Sequence, residues 1–549
     1  MTTTVDDEPL DEGIIRSSTV MAAGTVVSRV TGIFRTVAIA AAIGAVGPLP
    51  DAYATANTLP NILYILLVGG ALNAVFIPQL VRHMTDDTDG GRAFADRLLT
   101  LTGMVLIGIT TVAVLAAPWI TRLYVPVNGS GRELDVAIAF AYLCLPQILF
   151  YGMFALYSQV LNARGKFGAP MFAPVLNNVV VIAGSIVFLL VTHQPTIASI
   201  TGGQILLLGL VTTGGVVLQA LVLIPVMRGT GYKFRPRFDL RGQGLGTSVT
   251  LAKWTIFFVA VNQVAFAVVI RLANSAGQLA DASGRPGAGS AAYSNAHLMF
   301  ILPHSIVTVS IITALLPRMS RAAHAGDLAG VSHDLGRGIR LIGAAMVPAT
   351  VLFVLLGPRL PQLLVSYGNT SNADGRILGT VLTAFAVGTV PYSLYYVLLR
   401  GFYAMEDTKT PALVNIFLNV VNLAVGYTLF RLLPPDHAVA GLALGYVFAY
   451  AVTSIVLWRI LSRRLGGLET YGTVRTLVRL SLAGIVSTLV VWPFYRWVDH
   501  HTGAGKSGAL ALVVVVSPIV LCVFVLVARR LRVTEVAEVT TMIGARLHR

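Results

Sequence analysis

Charge is scarce in this chain: 11% of its 549 residues are Asp, Glu, Lys or Arg, against 55% hydrophobic, and the mean hydropathy is +0.77. A soluble protein of this length must show water a more polar face, so the composition excludes a soluble globular domain and requires a polytopic membrane protein. Cysteine is nearly absent. Cys144 and Cys522 both lie in apolar stretches, which excludes a disulfide framework and any CxxC or Cys/His metal site. There is no nucleophile triad, no Gly-rich phosphate loop and no metal-ligand cluster, so the chain reads as neither an enzyme nor an ATP-driven pump, and no metal or cofactor is expected. The N-terminal MTTTVDDEPLDEG is acidic and lacks the order of a cleavable signal, leaving the first apolar span to direct insertion.

A further absence is more telling. No apolar span carries Asp or Glu in its interior, yet Arg29 and Arg35 stand inside the first one, STVMAAGTVVSRVTGIFRTVAIAAAIG from Ser18. A charge near the bilayer centre costs roughly 3 kcal/mol on insertion scales, so a cation kept there without an acid usually faces an aqueous cavity and serves a ligand or ion path. The missing anion is expected to be the substrate.

Apolar stretches of about 20 or more residues read as membrane helices. They fall near 17–44, 52–81, 98–121, 134–162, 171–192, 201–226, 247–272, 290–316, 339–357, 377–403, 411–431, 438–458, 476–497 and 508–528. With an even number of spans both termini lie on one side. Lys and Arg are about three times as frequent in the loops of that side as in the opposite ones, which makes it cytoplasmic by the positive-inside rule. The net charge of +15 is therefore topological, and no nucleic-acid partner is expected.

The chain repeats itself with a period of about 241 residues. Leu59–His83 is echoed by Leu302–His324, and Leu145–Pro170 by Val390–Pro411. Four proline pairs, Pro60/Pro303, Pro78/Pro317, Pro146/Pro391 and Pro170/Pro411, keep nearly one offset. Six spans per repeat, an even number, give both halves the same orientation, related by an axis along the membrane normal. The expected fold is all-α and polytopic, with about 14 transmembrane helices: two six-helix lobes in parallel repeat plus two C-terminal helices. The domains are then 1–13, a cytoplasmic tail; 14–230, the first lobe with helices 1–6; 231–465, the second lobe with helices 7–12; 466–532, helices 13 and 14; and 533–549, a cytoplasmic tail.

Four segments carry a resemblance to a known family: SRVTGIFR (Ser28–Arg35), PDAYATANTLPN (Pro50–Asn61), LNARGKFGAPMFAPVLNN (Leu161–Asn178) and GFYAMEDTKTP (Gly401–Pro411). In these the chain resembles the MurJ (MviN) lipid II flippases, of the superfamily that also holds multidrug exporters and polysaccharide-lipid flippases. The resemblance covers roughly 14–532. It implies a two-lobed transporter of the bacterial cytoplasmic membrane that exports undecaprenyl-pyrophosphate-linked peptidoglycan precursor for cell-wall synthesis. It also implies that Ser28, Arg29 and Arg35 bind the substrate and that Asp51 belongs to an outer gate. The chain departs from the family at two cationic positions, where Tyr64 and Leu298 replace expected arginines; Tyr64, and His297 beside Leu298, become the candidate substrate contacts there.

Each of these residues also has a bland reading. Arg29 and Arg35 can snorkel, and their six-residue separation, about 9 Å of rise and about 240° of turn, does not place them on one narrow face. Asp51 can be an N-cap, His297 a satisfied core histidine, Lys253 a snorkelling lysine and Arg271 an interface anchor. Asn415, Asn419 and Asn422 share a helix face at i, i+4, i+7, by default an interhelical hydrogen-bonding face, with a monovalent cation site as the alternative. The expected function is alternating-access export of an anionic polyprenyl-pyrophosphate glycolipid. The alternatives left open are a flippase for another polysaccharide-linked lipid and a non-transporting membrane scaffold. Cell-wall synthesis or division proteins are the candidate protein partners.

Overall fold

The computed structural model describes residues 8–66, 89, 91–127, 131–239, 245–503 and 505–538, with side chains from residue 23 onward except 245–252. Among the described residues every regular element is helical. That follows from the solvent: hydrocarbon offers backbone N–H and C=O groups no partner, and only a helix satisfies them within one segment. Among the described residues twelve helices are long and apolar enough to cross a membrane, or thirteen with the bent pair Asn372–Ala386 and Thr389–Ala404, kinked by 48°, taken as one span. The remaining expected span, 52–81, is described only to residue 66. Gly69, Gly70 and Pro78 therefore lie outside the described residues.

By packing, the chain divides into two units, Met1–Ile43 with Ala52–Gln263 and Gly44–Asp51 with Val264–Arg549. The first contains α1 (Glu8–Ile43), most of α2 (Pro48–Tyr64), α3 (Arg92–Leu115), α4 (Ala117–Tyr124), α5 (Arg132–Cys144), α6 (Gln147–Ala163), α7 (Gly168–Val191), α8 (Gly202–Leu221), α9 (Leu223–Gly229) and the first half of α10 (Leu245–Ala282). Helix α1 packs along α7, and α7 along α8. The α1–α7 approach is close: a Cβ on Gly24 would stand 2.8 Å from that of Met171. The fourth expected span is broken into α5 and α6 at Leu145–Pro146, because proline removes an N–H and crowds the preceding turn. Helix α8 starts on a capping box in which Thr201 and Gln204 satisfy each other's backbone N–H.

The second unit continues with α11 (Ser290–Pro303), a π-helical turn His304–Thr308, α12 (Val309–His324), α13 (Leu328–Leu356), α14 (Leu360–Val365), α15 (Asn372–Ala386), α16 (Thr389–Ala404), α17 (Lys409–Leu432), α18 (Pro435–Arg464), α19 (Thr470–Thr502) and α20 (Lys506–Arg530). Helices α17 and α18 cross so tightly that a Cβ on Gly445 would come within 2.6 Å of the Gly426 Cα, the small-residue contact by which membrane helices gain dispersion energy. The last two spans pack on α13: Val351, Leu355 and Leu356 share a core with Val491, Tyr495 and Val498 of α19 and Leu512, Val516 and Val520 of α20. Outward faces carry large apolar residues, Leu190 and Leu432 each 74% exposed, as lipid-facing helices require.

The duplication is visible in packing as well as in sequence. Within the first unit Tyr53 meets Phe140 edge-on, ring centroids 5.4 Å apart. Within the second, Tyr293 meets Phe385 edge-on at 5.1 Å, one repeat period later.

Candidate functional site

Arg35 is half-buried in the first unit, and its guanidinium is within Coulombic reach of Tyr53, Cys144 and Tyr151. The hydroxyl of Tyr53 donates to Thr212 Oγ1 at 2.8 Å, because the Thr212 proton is already given to the Leu208 carbonyl. Tyr151 in turn lies against Tyr64, centroids 5.5 Å apart. Arg35 and Tyr64 thus share Tyr151 as a neighbour, and the tyrosine that replaces an expected arginine stands in the same cluster. Among the described residues no acid pairs with Arg35.

Arg29 is exposed, with no hydrogen bond or ion pair among the described residues. The turn between the two arginines therefore separates their environments: Arg35 is half-buried within Coulombic reach of two phenols, and Arg29 is exposed. Ser28 is half-buried, and its carbonyl accepts from Asn178 Nδ2 at 3.1 Å. The same amide nitrogen donates to Thr31 Oγ1 at 3.0 Å, so Asn178 on α7 fixes the rotation of α1 just where Arg29 projects. Asn178 ends one of the family-like segments, and its side chain explains why a polar residue is kept in that apolar helix.

Asp51 groups with the second unit, and its side chain is 2% exposed. It lies in the first turn of α2 but caps a different helix: Oδ1 accepts the Ala291 backbone N–H of α11 at 2.7 Å. Gly289, the residue before α11, has no room for a Cβ beside that carboxylate. His297 on α11 is packed among Phe300, Phe385 and Tyr446, with Nε2 3.2 Å from the Tyr446 hydroxyl, while the neighbouring Leu298 is 51% exposed.

Asn415, Asn419 and Asn422 are buried on α17, which packs against α18. Asn419 Nδ2 donates to the Asn415 carbonyl at 2.9 Å, and Asn422 Oδ1 is buried without a hydrogen-bond partner. Lys253 is exposed, 6.0 Å from the Trp254 ring centroid, and Arg271 is exposed on α10. No group of His, Cys, Asp and Glu suited to a metal ion occurs among the described residues.

Two family-like segments form clasps at helix ends. In GFYAMEDTKTP, Asp407 accepts from the Thr410 N–H at 2.9 Å and hydroxyl at 2.6 Å and pairs with Arg464, whose guanidinium lies over Phe402. Burial alone would raise the Asp407 carboxyl, but the Thr410 and Arg464 hydrogen bonds outweigh it and hold it below its ordinary value. In LNARGKFGAP, Arg164 stacks over Tyr232, whose hydroxyl donates to Asp96 at 2.6 Å. Burial, with Asp96 beside it, pushes that phenol well up. Tyr151 and Asn178 escaped the sequence reading. For Tyr151 the signal was present: it stands five residues after Pro146, as Tyr396 does after its repeat partner Pro391.

Comparison with known proteins agrees with this architecture. The family model described as "Lipid II flippase MurJ" matches residues 39–515. A relative named "Probable lipid II flippase MurJ" from Rhizobium tropici is 27% identical over 515 residues, 92% of each chain. Among solved structures, one titled "Lipid II flippase MurJ, inward closed conformation" has TM-score 0.71 at 18% identity, covering 92% of this chain and 97% of that one. An inward-facing multidrug-resistance MATE family transporter of the MOP superfamily has TM-score 0.63 at 14% identity, covering 81% and 96%. At those identities the structural likeness speaks for the fold, and the family match, which spans most of the chain, decides membership. The chain is a multi-pass membrane protein that belongs to the lipid II flippase MurJ family.

Proposed function

We propose that this protein exports lipid II, the undecaprenyl-pyrophosphate-linked peptidoglycan precursor, across the bacterial cytoplasmic membrane by alternating access, without chemistry on the substrate. Family membership supports the reaction, and the fold shared with inward-facing transporters of the MOP superfamily supports the mechanism. The observation that carries the reading is the pair of cations on α1: Arg29 and Arg35, in an apolar span, with no acidic partner among the described residues. A guanidinium presents a planar fork that matches phosphate oxygens, and in a low-dielectric cavity such charge-assisted bonds are strong.

In this reading Arg29 and Arg35 bind the pyrophosphate, with Ser28, Tyr64 and His297 as further head-group contacts. Asp51 serves the outer gate by holding the start of α11, and the asparagine face of α17 is either structural or the seat of a coupling cation. Both termini are cytoplasmic, and cell-wall synthesis or division proteins are the candidate partners of the cytoplasmic loops.

Depletion of the protein followed by quantification of lipid-linked precursors tests the function. Lipid II should accumulate on the inner leaflet. Accumulation of a different polyprenyl-linked glycan, with lipid II unchanged, would contradict the proposal.

A further inference from the structure

Helix α16 carries Tyr392, Tyr396, Arg400 and Tyr403 at spacings of four, four and three residues, which places them along one face. His304, the first residue of the π-helical turn, meets this face: its ring is 4.7 Å from that of Tyr392 and 5.1 Å from that of Tyr396, and its Nδ1 lies 3.0 Å from Ser393 Oγ. Toward the end of the helix, the Arg400 guanidinium stands 5.7 Å from the Tyr403 ring centroid. Its Nε is buried and has no hydrogen-bond partner. The two acids nearest in sequence are turned elsewhere, Glu406 toward His324 and Asp407 toward Arg464.

A snorkelling arginine keeps its guanidinium in water. Arg400 is half-buried, with a shielded Nε and no acidic partner among the described residues, so its charge is left open to an anion. The duplication supplies an independent pointer. Tyr396 stands five residues after Pro391, as Tyr151 stands after Pro146. In the first unit Tyr151 is within Coulombic reach of Arg35 on α1. In the second unit, the equivalent tyrosine shares its own helix face with Arg400. Each unit therefore carries the same tyrosine with an arginine in its vicinity, although the arginines come from non-equivalent helices.

We propose that Arg400, flanked by Tyr396 and Tyr403, is a second anion subsite, within the second unit, that takes a phosphate oxygen of the diphosphate-linked glycolipid. This rests on the exporter reading above. A planar fork suits the phosphate, and the tyrosine rings and hydroxyls suit the sugars attached to it. A phosphate oxygen also occurs on bilayer phospholipids, so the experiment separates the two sources.

Full-length protein in nanodiscs of zwitterionic lipid is titrated with a short-chain lipid II analogue and, separately, with the same glycan on an uncharged alkyl linker. Arg400→Met, similar in length and at home among apolar neighbours, should weaken analogue binding about tenfold, the loss of one charge-assisted contact. It should leave the uncharged ligand's binding unchanged. Arg400→Lys, which keeps the charge and loses the fork, should fall in between and stands as the informative variant if Arg400→Met lowers the unfolding temperature. Analogue binding that survives Arg400→Met at full affinity overturns the subsite alone. A wild-type protein that does not bind the analogue overturns the exporter reading and the subsite with it. Loss of co-purified anionic phospholipid in Arg400→Met, with analogue affinity intact, assigns the arginine to bilayer lipid and overturns the substrate role.

Discussion

The carboxylate of Asp51 accepts a hydrogen bond from the backbone N–H of Ala291 at 2.7 Å, capping a helix that starts far along the chain. The Ser290 hydroxyl lies 3.5 Å from the Asp51 carbonyl, so the same residue receives the start of α11 twice. An acid at the head of one helix thus serves another, and its charge faces the positive end of that helix's dipole.

Asp51→Ala should cost about 1–3 kcal/mol by leaving a buried N–H without an acceptor. Asp51→Asn keeps an acceptor oxygen and should lose less. Thermal unfolding of the two variants in detergent measures this, and equal losses would argue against the cap.

Arg29→Ala or Arg35→Ala should lower export by about tenfold or more, the order of one lost charge-assisted contact, while membrane abundance stays near wild type. Arg35→Lys should rescue only in part, because a point charge does not reproduce a bidentate fork. Complementation of a depletion strain, with immunoblotting for abundance, is the measurement. Wild-type export by well-expressed alanine variants would remove the cation pair from the substrate site.

Arg359, 9% exposed, pairs with Asp499 at 2.6 Å and with Gln362 at 3.1 Å, tying the start of α14 to α19. Arg359 is buried while Asp499 is partly exposed, so Asp499→Ala, which strands the arginine, should destabilise by about 1–3 kcal/mol. Replacing both residues with apolar ones of similar size should cost less. A double-mutant cycle on unfolding temperature checks the coupling.

Acid should loosen the clasps at these helix ends. Hydrogen bonds from Arg340 and His333 hold the Glu469 carboxyl below its ordinary value, and Asp407 is held down by Thr410 and Arg464 against the effect of burial. A folded pKa below the unfolded one gives stability that is complete above the unfolded value and fades as pH falls through the folded one. Amide protection around 405–411 and 467–472, with the intrinsic pH dependence of exchange divided out, should therefore hold from about pH 5.5 to 8 and fall below about pH 4. A loss of protection near neutrality would point to another group.

The membrane potential is the expected drive, at about 2.3 kcal/mol per charge per 100 mV. If Arg29 and Arg35 neutralise a pyrophosphate, the loaded carrier crosses nearly uncharged and the empty cationic one returns toward the negative interior. Collapsing the potential at constant pH gradient should stop export in vesicles, whereas collapsing the pH gradient alone should not. Export at zero potential that follows an imposed sodium or proton gradient would shift attention to Asn415, Asn419 and Asn422 or to His297.

Sequence alone determined the solvent, the helical spans that the described residues show, the duplication and the family, because hydrophobic run length and the Leu-Pro landmarks are local in the chain. It also singled out Arg29 and Arg35, since an uncompensated charge among apolar residues is legible without coordinates. What each polar side chain faces was not legible. Arg35 is half-buried within Coulombic reach of Tyr53, Cys144 and Tyr151 while Arg29 stays exposed, and Asn178, on another helix, grips α1 at Ser28 and Thr31. Asp51 caps α11 instead of its own helix, and Arg400, inconspicuous near the end of an aromatic span, proves to have a sealed, unbonded nitrogen. These are decided by contacts between residues far apart in the chain: helix rotation and burial depend on which neighbour a face packs against, and no window of sequence contains that neighbour.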